Sequence, residues 1–243
     1  MQEFRVFRAI GLSFKSLFRN FIPFVIITGV LYSPAILMVE TSNVNSGSLE
    51  TVLNSTFIYP LYAMAAAATL LSPMLTYRVV QELNGQKVSI FTSIKYGFRG
   101  ILPALIIGII GFVLGKIPFG GIINAVLTCI WFVAAPAAVA EKLNPIAALS
   151  RSAELTRGRR WGIFGLTFLL GLVMIAILFA YVMPLFDKSR DAVMASMKGT
   201  SLTVIITIGV FQMFNGIVEA VSYALLRADK DGMTHEQLAA VFE

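Results

Sequence analysis

The stretch AALSRSAELTRGRRWGIF, Ala147–Phe164, sets four arginines and one glutamate between two of the most apolar runs of the chain. Such a run is either the charged face of a soluble helix or a connector between membrane spans, and composition selects the connector. Of the 243 residues, 57% are hydrophobic and 13% charged, with a mean hydropathy of +0.82. A soluble domain of this size would expose apolar surface to water.

A hydrocarbon core of ~30 Å takes about 20 mostly apolar residues per helix. Six segments qualify: Phe21–Val39, Phe57–Val80, Gly100–Lys116, Pro118–Ala140, Trp161–Met183 and Leu202–Leu225. The first is as long as a full span and no small-x-small cleavage site follows it, so it reads as a permanent helix and not a signal peptide.

Basic residues then set the orientation, because lysine and arginine gather in cytoplasmic loops near helix ends. With the N-terminus inside, all 19 lysines and arginines except Lys116, Lys188, Arg190 and Lys198 fall on the cytoplasmic side. An even number of crossings and cytoplasmic termini follow. The net charge of +6 is thus accounted for by loops on one face, favouring anionic lipid headgroups as partners over nucleic acid.

The segments between spans share a plan. In EFRVFRAIGLSFKSLFRNF, Phe4, Phe7, Ile10, Phe14, Leu17, Phe18 and Phe21 recur at helical spacing while Arg5, Arg8, Lys15 and Arg19 point elsewhere, as in a helix lying in the membrane interface. SFKSLFRNFIPFVII (13–27) aligns with SIKYGFRGILPALII (93–107), pairing Ser13 with Ser93, Lys15 with Lys95, Arg19 with Arg99 and Pro23 with Pro103. Proline in the first helical turn costs little and fixes the entry geometry.

The opening stretch is the third such elbow. Asn144 can cap it, Pro145 takes the first helical position and Gly158 can end it. Arg151 and Arg157 flank Glu154, and Arg159, Arg160 and Trp161 meet the bilayer boundary. Thr234 and Gln237 stand at capping-box spacing before a short tail helix, Glu236–Phe242.

The expected architecture is therefore all-α. A single membrane domain over 1–243 holds six transmembrane helices in three hairpins, each preceded by an amphipathic interfacial helix. The units run about 1–82, 83–142 and 143–230, and 231–243 is a cytoplasmic tail.

Inside the bilayer one polar stripe stands out: Gln212, Asn215, Gly216, Glu219, Ser222 and Tyr223 share a face of the sixth span. It is read either as a proton or solute contact or as interhelical glue, in which Gln212 and Asn215 bond across helices. Pro34, Pro73 and Pro136 should each kink a span. Gly111, Gly115 and Ala63–Ala68 permit close helix approach, within the chain or between copies in a homo-oligomer.

No nucleophile, base and orienting residue stand at workable spacing, and no Gly-rich phosphate loop or paired-acid motif occurs. With Cys129 and His235 the sole cysteine and histidine, a zinc or haem site built on them is not expected. No cofactor or enzymatic activity is expected.

From Pro136 onward, PAAVAEKLNPIAALSRSAELTRGRRW resembles a bacterial family of membrane proteins related to the membrane domain of glycerophosphoryl diester phosphodiesterases. The likeness is carried by Pro136, Val139, Glu141, Pro145, Ala148, Leu149, Arg151, Ser152, Leu155, Thr156, Gly158 and Trp161. It covers about a hundred residues and implies a polytopic inner-membrane protein, without the soluble catalytic barrel from which the enzymes take their name.

Two functions follow as expectations. The first is a non-catalytic inner-membrane protein whose basic in-plane helices organise lipids or partner proteins on the cytoplasmic leaflet. The second is a small-solute permease or channel subunit built around the sixth-span stripe.

Overall fold

The computed structural model describes residues 6–42, 54–83, 86, 88–186 and 190–231. Among these, all regular structure is helical: α1 Val6–Arg19, α2 Phe21–Thr41, α3 Tyr59–Leu83, α4 Ile90–Gly97 and α5 Ile101–Leu114, then α6 Gly120–Trp131, α7 Ala134–Glu141, α8 Pro145–Leu155, α9 Arg160–Phe186 and α10 Arg190–Lys230. A π-helical turn, Asn54–Ile58, leads into α3, and a 3-10 turn, Phe98–Gly100, joins α4 to α5. Arg5 and the tail helix at Glu236–Phe242 lie outside the described residues.

Six stretches are long and apolar enough to cross a bilayer: Phe21–Thr41, Asn54–Glu82, Ile90–Leu114, Gly120–Glu141, Arg160–Pro184 and Gly199–Lys230. The chain has the make-up of a multi-pass membrane protein. At 41 residues, α10 measures roughly 60 Å and overshoots a ~30 Å hydrocarbon core.

The core is built from α2, α3 and α10. Phe24, Ile27, Tyr32 and Val39 of α2 meet Leu71, Leu75 and Val79 of α3 and Ile205, Met213, Ile217 and Val221 of α10. Glycines on α10 decide this choice of partners. A β-carbon on Gly209 would lie 3.3 Å from the Tyr32 ring, and one on Gly216 would lie 3.2 Å from the Ser72 Cα. Seven residues apart, the two share one helical face and let the backbones close in.

The sixth span therefore packs more on the first two than on the fifth, which precedes it. A second face of α10, with Val218, Tyr223 and Leu226, closes a smaller core with Val133, Leu155, Ile163 and Leu166. Between α9 and α10, the Tyr181 and Thr207 hydroxyls form a hydrogen bond of 2.7 Å.

The three prolines behave differently. α2 runs on through Pro34 and α3 through Pro73, whereas the fourth span is interrupted between Trp131 and Ala134. Pro136 offers no N–H to the Phe132 carbonyl and its ring collides with that carbonyl, which ends α6 there. The interruption is filled from α8. Ser152 Oγ accepts from the Val133 N–H at 3.2 Å and donates to the Ile130 carbonyl at 3.0 Å, and Thr156 Oγ1 donates to the same carbonyl at 3.2 Å. Both hydroxyl-bearing residues are buried.

Candidate functional site

Two places carry polar chemistry: the basic end of the bundle and a carboxylate within it. At the basic end, the first and third connectors are each held by an acid near the close of a span, Glu82 and Glu141. Glu82 accepts from Ser16 Oγ at 3.1 Å, from the Asn20 amide and from Arg19 Nε at 3.2 Å. Arg78 completes the corner, donating to Asn20 Oδ1 at 3.0 Å and to the Val88 carbonyl at 2.7 Å.

The third connector is tied more heavily. Asn144 Oδ1 caps α8 by accepting from the Ala147 N–H at 2.8 Å, with Pro145 at the first helical position. Arg151 Nε reaches both oxygens of Glu141 at 3.1 Å, Nη1 reaches Glu154 at 3.1 Å and Nη2 reaches Asp231 at 3.2 Å. Tyr223 donates to Glu141 Oε1 at 2.9 Å, and Arg227 Nε donates to Asp231 at 3.2 Å.

Arg159 pairs with Asp229 at 2.8 Å. Burial alone works against the Arg151 charge, but hydrogen bonds and attraction from these carboxylates outweigh it and raise the pKa above that of an ordinary guanidinium.

The basic residues singled out in the sequence thus fall into two groups. Arg19, Arg151 and Arg159 are committed to carboxylates. Arg8, Lys15, Lys95, Arg99, Arg157 and Arg160 are exposed and form no ion pair among the described residues, with Arg99 lying over the Tyr96 ring at 5.8 Å. Aromatic side chains stand among them: Phe7 is 84% exposed, Phe18 73% and Trp161 87%.

On α1 the fully buried positions are small, Ala9, Ser13 and Ser16, and Leu12 and Leu17 pack on the larger core; Phe7 and Phe18 are exposed, whereas Phe14 lies 4.6 Å from the Phe214 ring of α10. The aligned connectors also end alike. Ser13 and Ser93 are both buried and bond back to the carbonyl four residues earlier, of Ala9 and Ser89. Asn20 and Gly100 occupy matching places immediately before α2 and α5. A β-carbon on Gly100 would fall 2.6 Å from the Pro73 Cβ, so only glycine fits that corner.

The polar stripe of the sixth span is divided. Tyr223 serves the basic end, Ser222 is buried with its hydroxyl unpartnered, and Gln212 and Asn215 form no side-chain hydrogen bond among the described residues. Glu219 accepts from the Ser72 hydroxyl across to α3 and lines a cavity of about 170 Å³ between α3, α5, α6, α7 and α10.

Ser72, Thr69 and Thr128 were not apparent as site residues in the sequence. Hydroxyls six residues before Arg78, or alone in an apolar run, look like ordinary span residues until α10 is placed against α3. Comparisons with protein-family models, with curated proteins and with solved structures found no match to this chain.

Proposed function

We propose that this chain is a non-catalytic, multi-pass protein of the bacterial inner membrane, with both termini cytoplasmic. Its basic in-plane helices engage anionic headgroups of the cytoplasmic leaflet, alone or as a homo-oligomer. One observation carries the reading: among the described residues, Arg8, Lys15, Lys95, Arg99, Arg157 and Arg160 stay free of carboxylates although acids hold Arg19, Arg151 and Arg159. A cation kept exposed beside Phe7, Phe18 or Trp161 suits a phosphate above and an acyl chain below. The resemblance of Pro136–Trp161 to the phosphodiesterase-related membrane family agrees with a polytopic inner-membrane protein.

The test is lipid selectivity. The protein is placed in nanodiscs of mixed phosphatidylglycerol and phosphatidylcholine, and the boundary preference is read by spin-labelled lipids. Each basic residue near the surface is worth about 1 kcal/mol toward anionic lipid. The wild type is expected to prefer phosphatidylglycerol in a salt-sensitive manner. Glutamine at all six positions should remove most of that preference, and a preference that survives intact rejects the proposal.

A further inference from the structure

Glu219 is the acid that the basic end leaves unused. Its Oε2 takes the Ser72 hydroxyl, its Oε1 has no hydrogen-bond partner among the described residues, and the residue lines the cavity. No lysine, arginine or histidine pairs with it among the described residues. Arg227, the next cation along α10, lies eight residues away, roughly 12 Å along the axis, and is turned to Asp231. A carboxylate in this position lacks the counter-charge that intramembrane acids ordinarily keep.

The walls say what could supply that charge. Besides Glu219 and Ser72, the cavity presents the hydroxyl-bearing Thr69 and Thr128 and the aromatic Trp131 and Phe132. An anion would meet the carboxylate. A calcium-like ion takes six to eight oxygens, more than one free carboxylate oxygen and three hydroxyls provide. A primary ammonium has three donors, which this mixture of acceptors can take up. Its apolar remainder would lie against the indole and phenyl groups, where a cation also gains from the ring faces.

Thr128 lines a second space as well, about 310 Å³ between α6 and α9, walled by Phe164, Phe168, Leu172 and Ile175. The two spaces share that residue, and Glu219 lines only the first.

We propose that the Glu219 cavity binds a small primary ammonium compound with an apolar body, its nitrogen on the Glu219 carboxylate and its hydrocarbon part toward Trp131 and Phe132. This goes beyond the lipid-engaging reading and does not depend on it.

The chain has two tryptophans, Trp131 and Trp161, so Trp161→Phe leaves the cavity indole as the sole tryptophan fluorophore. In zwitterionic nanodiscs, phenethylammonium should change Trp131 emission saturably and bind at least tenfold more tightly than its neutral analogue 2-phenylethanol. Glu219→Gln should abolish the difference between the two compounds. Equal affinity for both, a preference that survives Glu219→Gln, or no saturable response overturns the proposal. Should Glu219→Gln fail to fold, Ala104→Leu fills the same cavity from α5 and is expected to weaken phenethylammonium at least tenfold; unchanged binding there also overturns it. Zwitterionic lipid keeps this outcome separate from the phosphatidylglycerol preference tested above.

Discussion

Arg151 shows how a residue's surroundings, more than its type, set its role. Arg151 has a side chain 20% exposed and three carboxylates around it, and Arg151→Ala leaves Glu141 without a cation and Asp231 with Arg227 alone. A loss of about 2–3 kcal/mol is expected, read as a lowered melting temperature in detergent. Arg151→Lys should recover little of it, because an ammonium cannot reproduce the planar fork that spans Glu141, Glu154 and Asp231. By contrast Arg159→Ala, which breaks one pair with the 39% exposed Asp229, should cost under about 1 kcal/mol. Lys142, which follows α7, has φ of 56°. That left-handed conformation costs a non-glycine residue roughly 1–2 kcal/mol, so Lys142→Gly should raise the melting temperature. Of these features, the Asn144 cap and the Arg151–Glu154 pair were legible in the sequence because both close within one helical turn. The Asp231 contact was not, since it joins residues eighty positions apart and depends on where α10 comes to rest.

At the level of elements, the interrupted fourth span repays closest study. The sequence marked Pro136 as a disruption and the third connector as a surface helix. It could not reveal that the two interlock, because Ser152 and Thr156 look like ordinary small polar residues on a weakly apolar face. Ser152→Ala removes the surrogate partner of the buried Val133 N–H and should cost about 1–3 kcal/mol. Pro136→Ala alone restores a donor for the Phe132 carbonyl and lets α6 run toward α7. Combined, the two changes should be non-additive: with an unbroken helix, Val133 regains its own intrahelical acceptor and Ser152 becomes dispensable. A double-mutant cycle on melting temperature measures this, and strict additivity would refute the interlock. The connectors before the first and third spans share a visible pattern in the sequence, since serine, arginine and proline recur at matching positions, and Ser13 and Ser93 are buried alike.

For the whole molecule, hydropathy and loop charge sufficed to find six candidate spans, while the packing order among them stayed hidden. Every span is apolar on several sides, so periodicity does not tell lipid-facing from helix-facing positions; Gly209 and Gly216 were the informative residues and gained meaning only from Tyr32 and Ser72. The orientation proposed above has a direct check. In a Cys129→Ala background, cysteines placed at Ser46 and at Glu243 should react with an impermeant maleimide from opposite sides of sealed vesicles, and labelling of both from one side would defeat the six-crossing topology. The central place of α10 also bears on biogenesis. Leu71 and Leu75 find their α10 neighbours about 130 residues or more later in the chain, so a ribosome must translate past residue 200 before the first two spans acquire their lasting companion. A nascent product stalled before residue 200 would expose an incomplete seam to the insertion machinery, making such truncations natural targets for membrane quality-control proteases.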